Sequence, residues 1–332
     1  MSDFLWPTSW KIRWMILVVM GYFLMAVLAS VGLIGSGWSE EVGVSYASPS
    51  PFSRATHQSL VSVQPTIDIR KLPLYGLVDP LASDWKKIQM LMKWPTQSIR
   101  RPRLTTLPWG GDKWGHDVRL KVIKGTEVSL WVGCAAATIA TVIGVVLGLW
   151  GGFFGGWVDN ALNTLYGILT SLPYLLLVFA IAAVLHEKGI TPIIVILSAT
   201  GWTGVFRLMR AEVLRLKGRE FVMAGEAMGA RPYHVMFRHI LPNTSGLILV
   251  QWSLTVIGFI KSEVILSFLG FGVSVDQVSW GSILNEAQNE LVLGIWWQLT
   301  AVTVMMAGFV VALSIVTDYW RDRLDPRWGT SE

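Results

Sequence analysis

"REFVMAGEAMGARPYHVMFRHILPN", residues 219–243, lies between two long apolar runs. It mixes charges, is interrupted by Gly229 and Pro232, and is too polar to cross a bilayer. The pattern predicts two short helices. The first, over 219–228, ends at Gly229, the residue type that accepts left-handed backbone just past a helix C-terminus. The second begins at Pro232, whose fixed φ and missing N–H suit a first helical turn. It places Tyr233, Met236, Phe237 and Ile240 on one side and Arg231, His234 and Arg238 on the other, and Pro242 and Asn243 are expected to stop it. Such a short amphipathic helix must rest its apolar side on its own membrane domain or on a partner. The pattern leaves a packed hairpin and a force-transmitting docking element both open.

The surrounding chain identifies the solvent. Of 332 residues, 52% are hydrophobic and 15% charged, against about 25% charged in a typical soluble domain. Six runs are long enough to span a membrane, which takes roughly 20 apolar residues. They lie at 13–35, 126–150, 161–185, 190–208, 245–268 and 292–317. The first is longer than the apolar core of a signal peptide, which favours an uncleaved span. Trp6, Trp10 and Trp14 share one helical face beside Lys11 and Arg13, as an interfacial anchor would.

The expected fold is therefore an all-α integral membrane protein with six transmembrane helices. Residues 1–36 form an interfacial segment and first span, 37–125 an extracytoplasmic loop or small subdomain, 126–318 a five-span core, and 319–332 a tail. Within 37–125, residues 86–94 suit a short amphipathic helix and 97–109 an extended stretch. Six spans return both termini to one side. Lys11, Arg13, Arg210, Arg215, Lys217, Arg219, Arg321, Arg323 and Arg327 mark that side as the cytoplasm.

In the second span Ala136, Ala140, Gly144, Gly148, Gly152 and Gly156 recur every four residues. Small residues on one face let helices approach closely in lipid. Residues 155–160 are read as a tight polar turn, and Pro173 as a tolerated proline within the third span. Lys261 and Glu263 lie late in the fifth span. Charges there are costly and often functional, so they are candidates for a translocation path; local pairing near the outer surface is the other reading. The loop 270–291, with Trp280, Asn285 and Gln288 and a short helix over 281–289, is either a docking surface for an extracytoplasmic protein or a plug.

Other chemistries lack their residues. Cys134 has no partner for a disulfide, and the five histidines show no metal-site spacing. There is no Gly-Lys dipeptide and hence no phosphate-binding loop of the G-x-x-x-x-G-K-[ST] type. No Ser-His-Asp order or carboxylate pair suggests an enzyme, and no basic, aromatic-studded module suggests nucleic-acid binding.

The quoted segment resembles the loop of ABC importer permeases that reads E-A-A, three residues, G, nine residues, I, one residue, L-P. Ala224, Gly229 and Leu241–Pro242 match in spacing, whereas Met223, Gly225 and His239 replace the Glu, the second Ala and the Ile. "FRHILPN" is similar to the peptide-importer branch. "GGDKWGHDV" (110–118), "GLWGGFFGGWVD" (148–159), "LSFLGFGV" (266–273), "SWGSIL" (279–284) and "LDPR" (324–327) resemble the C-type subunit of dipeptide and oligopeptide permeases.

The resemblance implies a type I ABC importer permease fold with a coupling helix in the cytoplasmic loop between spans 4 and 5. Coupling would involve Ala224, Gly225, Glu226, Gly229, Ala230, Arg231, Pro232, Arg238, Leu241 and Pro242. It also implies a homologous permease partner in a heterodimer, two ABC ATPases that bind the ATP, a solute-binding protein, and a bacterial inner membrane. Glu263 matches a carboxylate of the family pattern; Lys261 does not. No cofactor is expected in the chain itself. An autonomous secondary transporter or channel, a membrane assembly factor, and a permease for nickel, opines or sugars are the competing readings.

Overall fold

The computed structural model of the chain describes residues 9–49, 57–58, 103–185, 187–274 and 276–324. Trp6, the 86–94 segment, residues 97–102 of the 97–109 stretch and Arg327 lie outside the described residues. Helix α1 spans Trp10–Ser30. A small sheet follows, made of β1 (Gly43–Pro49), β2 (His57–Gln58) and β3 (Arg103–Leu107), in the order β1–β3–β2. β1 runs parallel to β3, and β2 antiparallel to it. This sheet is a departure from the all-α expectation, confined to the segment between the first two spans.

Helix α2 occupies Val118–Phe154 and starts eight residues before the expected span at 126. Asp117 caps it by accepting the Arg119 N–H at 2.8 Å. The early start includes Lys121 and Lys124, whose charges are matched locally: Lys124 pairs with Glu127 at 2.6 Å, and Lys121 with Asp112 at 2.8 Å. At 37 residues the helix is roughly 55 Å long, well beyond the roughly 30 Å hydrocarbon core. It is the central post, packed against α1 and against most of the helices that follow.

The third expected span is broken. Helix α3 covers Gly156–Thr170 and α4 Tyr174–Leu185, and they bend by 83° at the break. Pro173 removes one N–H and disfavours helical backbone before it. Gly155 alone forms most of the turn expected over 155–160, and Gly156 already opens α3. Helices α5 (Ile190–Gly201) and α6 (Thr203–Lys217) join through Trp202 and carry the fourth apolar run nine residues past 208.

Helix α7 (Glu220–Ala227) is followed by α8 (Pro232–Val235), a π-helical turn (Met236–Ile240) and α9 (Leu241–Phe268). The expected stop at Pro242 is absent; Pro232–Phe268 is one continuous helical path. The proline sits at the second residue after the wide turn, where its missing N–H costs least. Helix α10 (Trp280–Val292) is closed by a capping box between Ser279 and Ser282, and α11 runs Trp297–Leu324. Among the described residues, five paths are long and apolar enough to cross a membrane: α1, α2, α5–α6, Pro232–Phe268 and α11. The bent α3–α4 pair is the sixth if it counts as one span.

Close approach builds the bundle. A Cβ at Gly144 would stand 2.6 Å from Val205 Cβ, at Gly148 2.7 Å from Met209 Cβ, and at Gly152 2.8 Å from Val213 Cβ. These three glycines therefore let α6 lie directly on α2. Gly156 is not part of that stripe: its φ is +53° and nothing lies within 4 Å of its Cβ position. Gly133 against Ile260 and Gly201 against Phe259, neither singled out from spacing, seat α9 on α2 and α5.

Side-chain contacts sort the ends. Lys124 Nζ reaches Ala29 O at 3.4 Å, and Trp297 Nε1 donates to Gly111 O at 2.9 Å. The C-terminus of α1 and the N-termini of α2 and α11 thus share one end. Lys217 Nζ donates to Phe153 O at 2.7 Å, which brings the C-termini of α2 and α6 together at the other.

Candidate functional site

The α2/α6 C-terminal end carries the quoted stretch. Val222, Val235, Met236 and Ile240 are fully buried against Val145, Leu149, Phe153, Val205, Met209, Val213 and Leu216. That core fixes the segment on the bundle. Helix α7 ends in two backbone bonds, Ala230 N–H to Gly225 O at 3.1 Å and Gly229 N–H to Glu226 O at 2.9 Å. This is a Schellman closure, and it requires the left-handed φ of +81° that Gly229 adopts. Gly225 is buried, with its Cβ position 3.8 Å from His239 Nε2. Two of the three departures from the loop pattern therefore face each other.

What remains outside is apolar. Met228 is 83% exposed, Tyr233 59% and Phe237 54%. Of the apolar side expected over Tyr233, Met236, Phe237 and Ile240, Met236 and Ile240 pack inward together with Val235, and Tyr233 and Phe237 stay outside. The π turn shifts the register so that Phe237 points out one residue after Met236 points in. Ala224, Glu226, Arg231, Pro232, Arg238 and Pro242 are exposed too, while Ala230 and Leu241 are half-buried. His234, Phe237, Arg238 and Pro242 line an open groove of about 680 Å³. Two ties outside the quoted stretch brace this end. Arg210 grips Asp159 with both Nε and Nη2, the latter at 2.6 Å, and Lys217 lies 5.1 Å from the Phe153 ring centroid. Sequence reading did not pair Asp159 with Arg210, which lie 51 residues apart.

The opposite end is polar and closed. Asp112 Oδ1 accepts the Trp114 and His116 N–H groups at 2.8 and 2.9 Å. Its Oδ2 accepts from His116 Nδ1 and from Lys121 Nζ, both at 2.8 Å. Burial pushes the Asp112 pKa up, but the Lys121 ammonium and these hydrogen bonds outweigh it and hold the carboxyl below its ordinary value. Lys121 also pairs with Glu286 on α10. Glu290 accepts the Lys113 N–H at 3.2 Å, and its burial raises its pKa to about 7. None of Asp112, Lys121, Glu286 and Glu290 was singled out in the sequence, although Asp112 lies within the "GGDKWGHDV" stretch.

Several expected site residues lie elsewhere than proposed. Glu263 is fully buried and accepts hydrogen bonds from Ser129 and Ser267, each at 2.8 Å. It ties α9 to α2. Trp280 is also fully buried; its N–H donates to Ser129 Oγ at 3.1 Å and its Nε1 to Thr126 Oγ1 at 3.2 Å. It holds α10 to α2 and offers nothing to a docking protein. Asn285 is half-buried and donates to Phe268 O, whereas Gln288 is exposed. Lys261 is exposed on α9, turned away from Glu263.

Comparison with known proteins agrees with this architecture. Residues 144–330 match the family model described as binding-protein-dependent transport system inner membrane component. The chain is similar to the dipeptide transport system permease protein DppC of Bacillus subtilis, 37% identical over 238 residues that cover 69% of this chain and 74% of that one. It is likewise similar to the oligopeptide transport system permease protein OppC of Escherichia coli, 35% identical, covering 66% of this chain and 72% of that one. Among solved structures, an inward-facing MetNI methionine ABC transporter shares the fold with a TM-score of 0.52 at 16% identity, over 61% of this chain and 96% of that one. The chain belongs to the binding-protein-dependent transport system inner membrane component family: it is a permease subunit of an ABC importer, with ATP hydrolysis housed in a separate subunit.

Proposed function

We propose that this subunit forms half of a peptide path and receives force from an ATPase through the α7–α8 surface. The observation that carries the reading is the combination of Met228, Tyr233 and Phe237 exposed on a segment clamped by buried Val222, Val235, Met236 and Ile240. Exposed aromatics on a firm base suit a partner's pocket. Because α8 continues through the π turn into α9, a push on Phe237 is delivered straight to a span. The homologous permease, two ATPases and a solute-binding protein complete the assembly in this reading. Peptide as the solute follows from the names of the dipeptide and oligopeptide permeases.

In this reading the bent α3–α4 pair is the third of six spans. The end with the α2 and α6 C-termini carries Lys11, Arg13, Arg210, Arg215, Lys217, Arg219, Arg231, Arg238, Arg321 and Arg323, and such an excess favours the cytoplasm. Both described helix termini, the start of α1 and the end of α11, then face inward. The opposite end, with Gln288 and Asn289 exposed on α10, faces the solute-binding protein. Lys261 lies seven residues before the end of α9 and lines the path, since a cation is costly against lipid.

The test is a pull-down from detergent-solubilised native membrane, comparing wild type with Phe237→Glu. The expected result is recovery of a second permease with both proteins and of an ATPase with wild type alone. An ATPase retained by Phe237→Glu, or wild type recovered alone, overturns the coupling reading.

A further inference from the structure

Glu290 lies on the buried face of α10 and is 2% exposed. Its Oε1 accepts the Lys113 N–H, but its Oε2 is buried without a hydrogen-bond partner. Gln298, in the first turn of α11, is in the same position. Its Nε2 donates to Ile283 O and Glu286 Oε2, each at 3.4 Å, while its Oε1 is buried without a partner. Two orphaned acceptors therefore sit on successive helices packed together. An ionised carboxylate can only accept, so a proton on Glu290 would remove the charge from its unpartnered oxygen.

The surrounding charges point the same way. From the loop before α2 come Asp112, His116 and Lys113, but the Lys113 ammonium turns away over the Trp114 ring at 5.4 Å and only its N–H reaches Glu290. From α2 comes Lys121, already shared by Asp112 and Glu286. Glu286 stands one turn before Glu290 on α10, and α11 presents only the neutral Gln298. Three carboxylates thus surround one buried ammonium. Asp112 has four donors, and Glu286 is bonded to Lys121 and partly exposed. Glu290 has one long bond and the deepest burial after Asp112, so it is the group on which a proton removes most cost.

We propose that Glu290 is a proton-binding site, and that its bound proton fastens α10 to loop 110–117. The direction of the pH effect follows. Burial raises the Glu290 pKa to about 7 in the fastened state, whereas a released, solvated Glu has the ordinary lower value. The fastened state then holds the extra proton between those values, so fastening is strongest on the acid side and is lost as pH rises through about 7. Asp112, with its pKa lowered, opposes this only in much stronger acid. That the proton comes from outside the cell rests on the orientation proposed above; the existence of the site does not.

The experiment uses the full chain in its assembled importer, reconstituted in lipid vesicles. Hydrogen exchange over residues 110–121 and 280–292 is compared at about pH 6 and about pH 8, corrected for the intrinsic pH dependence of exchange. A group titrating near 7 when fastened, and at its ordinary value when free, gives roughly tenfold weaker protection at the higher pH. Glu290→Gln keeps an acceptor for Lys113 and supplies a permanent N–H donor, so its protection is expected to be equal at both pH values. Infrared spectra should show a protonated carboxylic acid band that titrates near neutrality and is missing in Glu290→Gln. Wild-type protection that does not change with pH, a pH response retained by Glu290→Gln, or no such band overturns the proposal. A normal response that follows the pH of the opposite compartment leaves the proton site standing and overturns the orientation.

Discussion

At one end of the bundle the chain buries a small apolar core and leaves Met228, Tyr233 and Phe237 outside. At the other it buries Trp280, Asp112, Lys121, Glu263 and Glu290 in a polar network, with Trp114, Val292, Leu293 and Trp296 exposed outside it. The first end is built around apolar contact; the second is built around hydrogen bonds, with the free oxygens of Glu290 and Gln298 as its loose points. Exposed aromatics gain free energy when a partner covers them. Satisfied polar networks gain nothing from a new partner and lose much if pulled apart. The difference teaches where the proposed push would act, at α8, and where the subunit is held, at the loop 110–117 with α10.

The largest expected effect breaks the holding end. Trp280→Ala removes a fully buried ring that packs 6.2 Å from Phe309 and takes the indole N–H away from Thr126 Oγ1. The expected loss is about 3–5 kcal/mol, seen as a lower thermal midpoint of the purified complex. ATPase binding to whatever folded protein remains should persist, because α7 and α8 are untouched. A Trp280→Ala protein with unchanged stability would mean that α10 is not held as described.

Gly148→Leu comes next and tests the link between the ends. Its Cβ would meet Met209 Cβ at 2.7 Å and Phe206 O at 3.0 Å, and the latter is backbone that cannot swing aside. Overpacking of this kind costs about 1–3 kcal/mol or forces α6 off α2. Because α6 carries the core under α8, the mutant should lose both thermal stability and ATPase recovery. Stability lost with recovery intact would show that α8 is positioned by something other than α6.

Phe237→Glu should be milder for the fold and harsh for the assembly. The side chain is 54% exposed, so the thermal midpoint should move by no more than a surface change of about 0.5 kcal/mol allows. ATPase affinity should fall at least tenfold, measured by titrating the ATPase onto immobilised permease complex. Equal affinities would place the docking contact elsewhere.

How much of this is legible without coordinates depends on distance along the chain. Gly229 and Pro232 declare their turn because the chemistry is local: one needs a positive φ and the other tolerates a missing N–H. The four-residue step of Gly144, Gly148 and Gly152 is also local, and only its end fails, where Gly156 starts a new helix. The Asp112–Lys121–Glu286 network is not legible, since Glu286 joins from 165 residues away. Glu263 is ambiguous for a physical reason: a carboxylate in an apolar run signals a path or a buried acceptor, and its bonds to Ser129 and Ser267 come from the fold. Which half of the apolar side of α8 and the π turn faces inward is likewise set by the bundle beneath it, with Met236 and Ile240 buried and Tyr233 and Phe237 exposed.

Lys261 carries the smallest expected effect on the molecule and the sharpest question. It is exposed on α9 between the two ends, and Gly258, one turn earlier, leaves open space beside it. Against lipid the charge is a liability, so Lys261→Leu should then stabilise the complex and leave uptake unchanged. In a water-lined path the ammonium is solvated, and the same change should leave the thermal midpoint within about 0.5 kcal/mol while altering transport. A peptide offers one obligatory anion, its terminal carboxylate, and an ammonium in the path would favour it by a charge-assisted hydrogen bond. Uptake of free-acid peptides by the reconstituted importer should therefore fall in Lys261→Leu by several-fold relative to C-terminally amidated ones. An equal fall for both would make Lys261 a packing contact with the second permease. A gain in stability without any change in uptake would turn this face of α9 toward lipid and move the path to another helix.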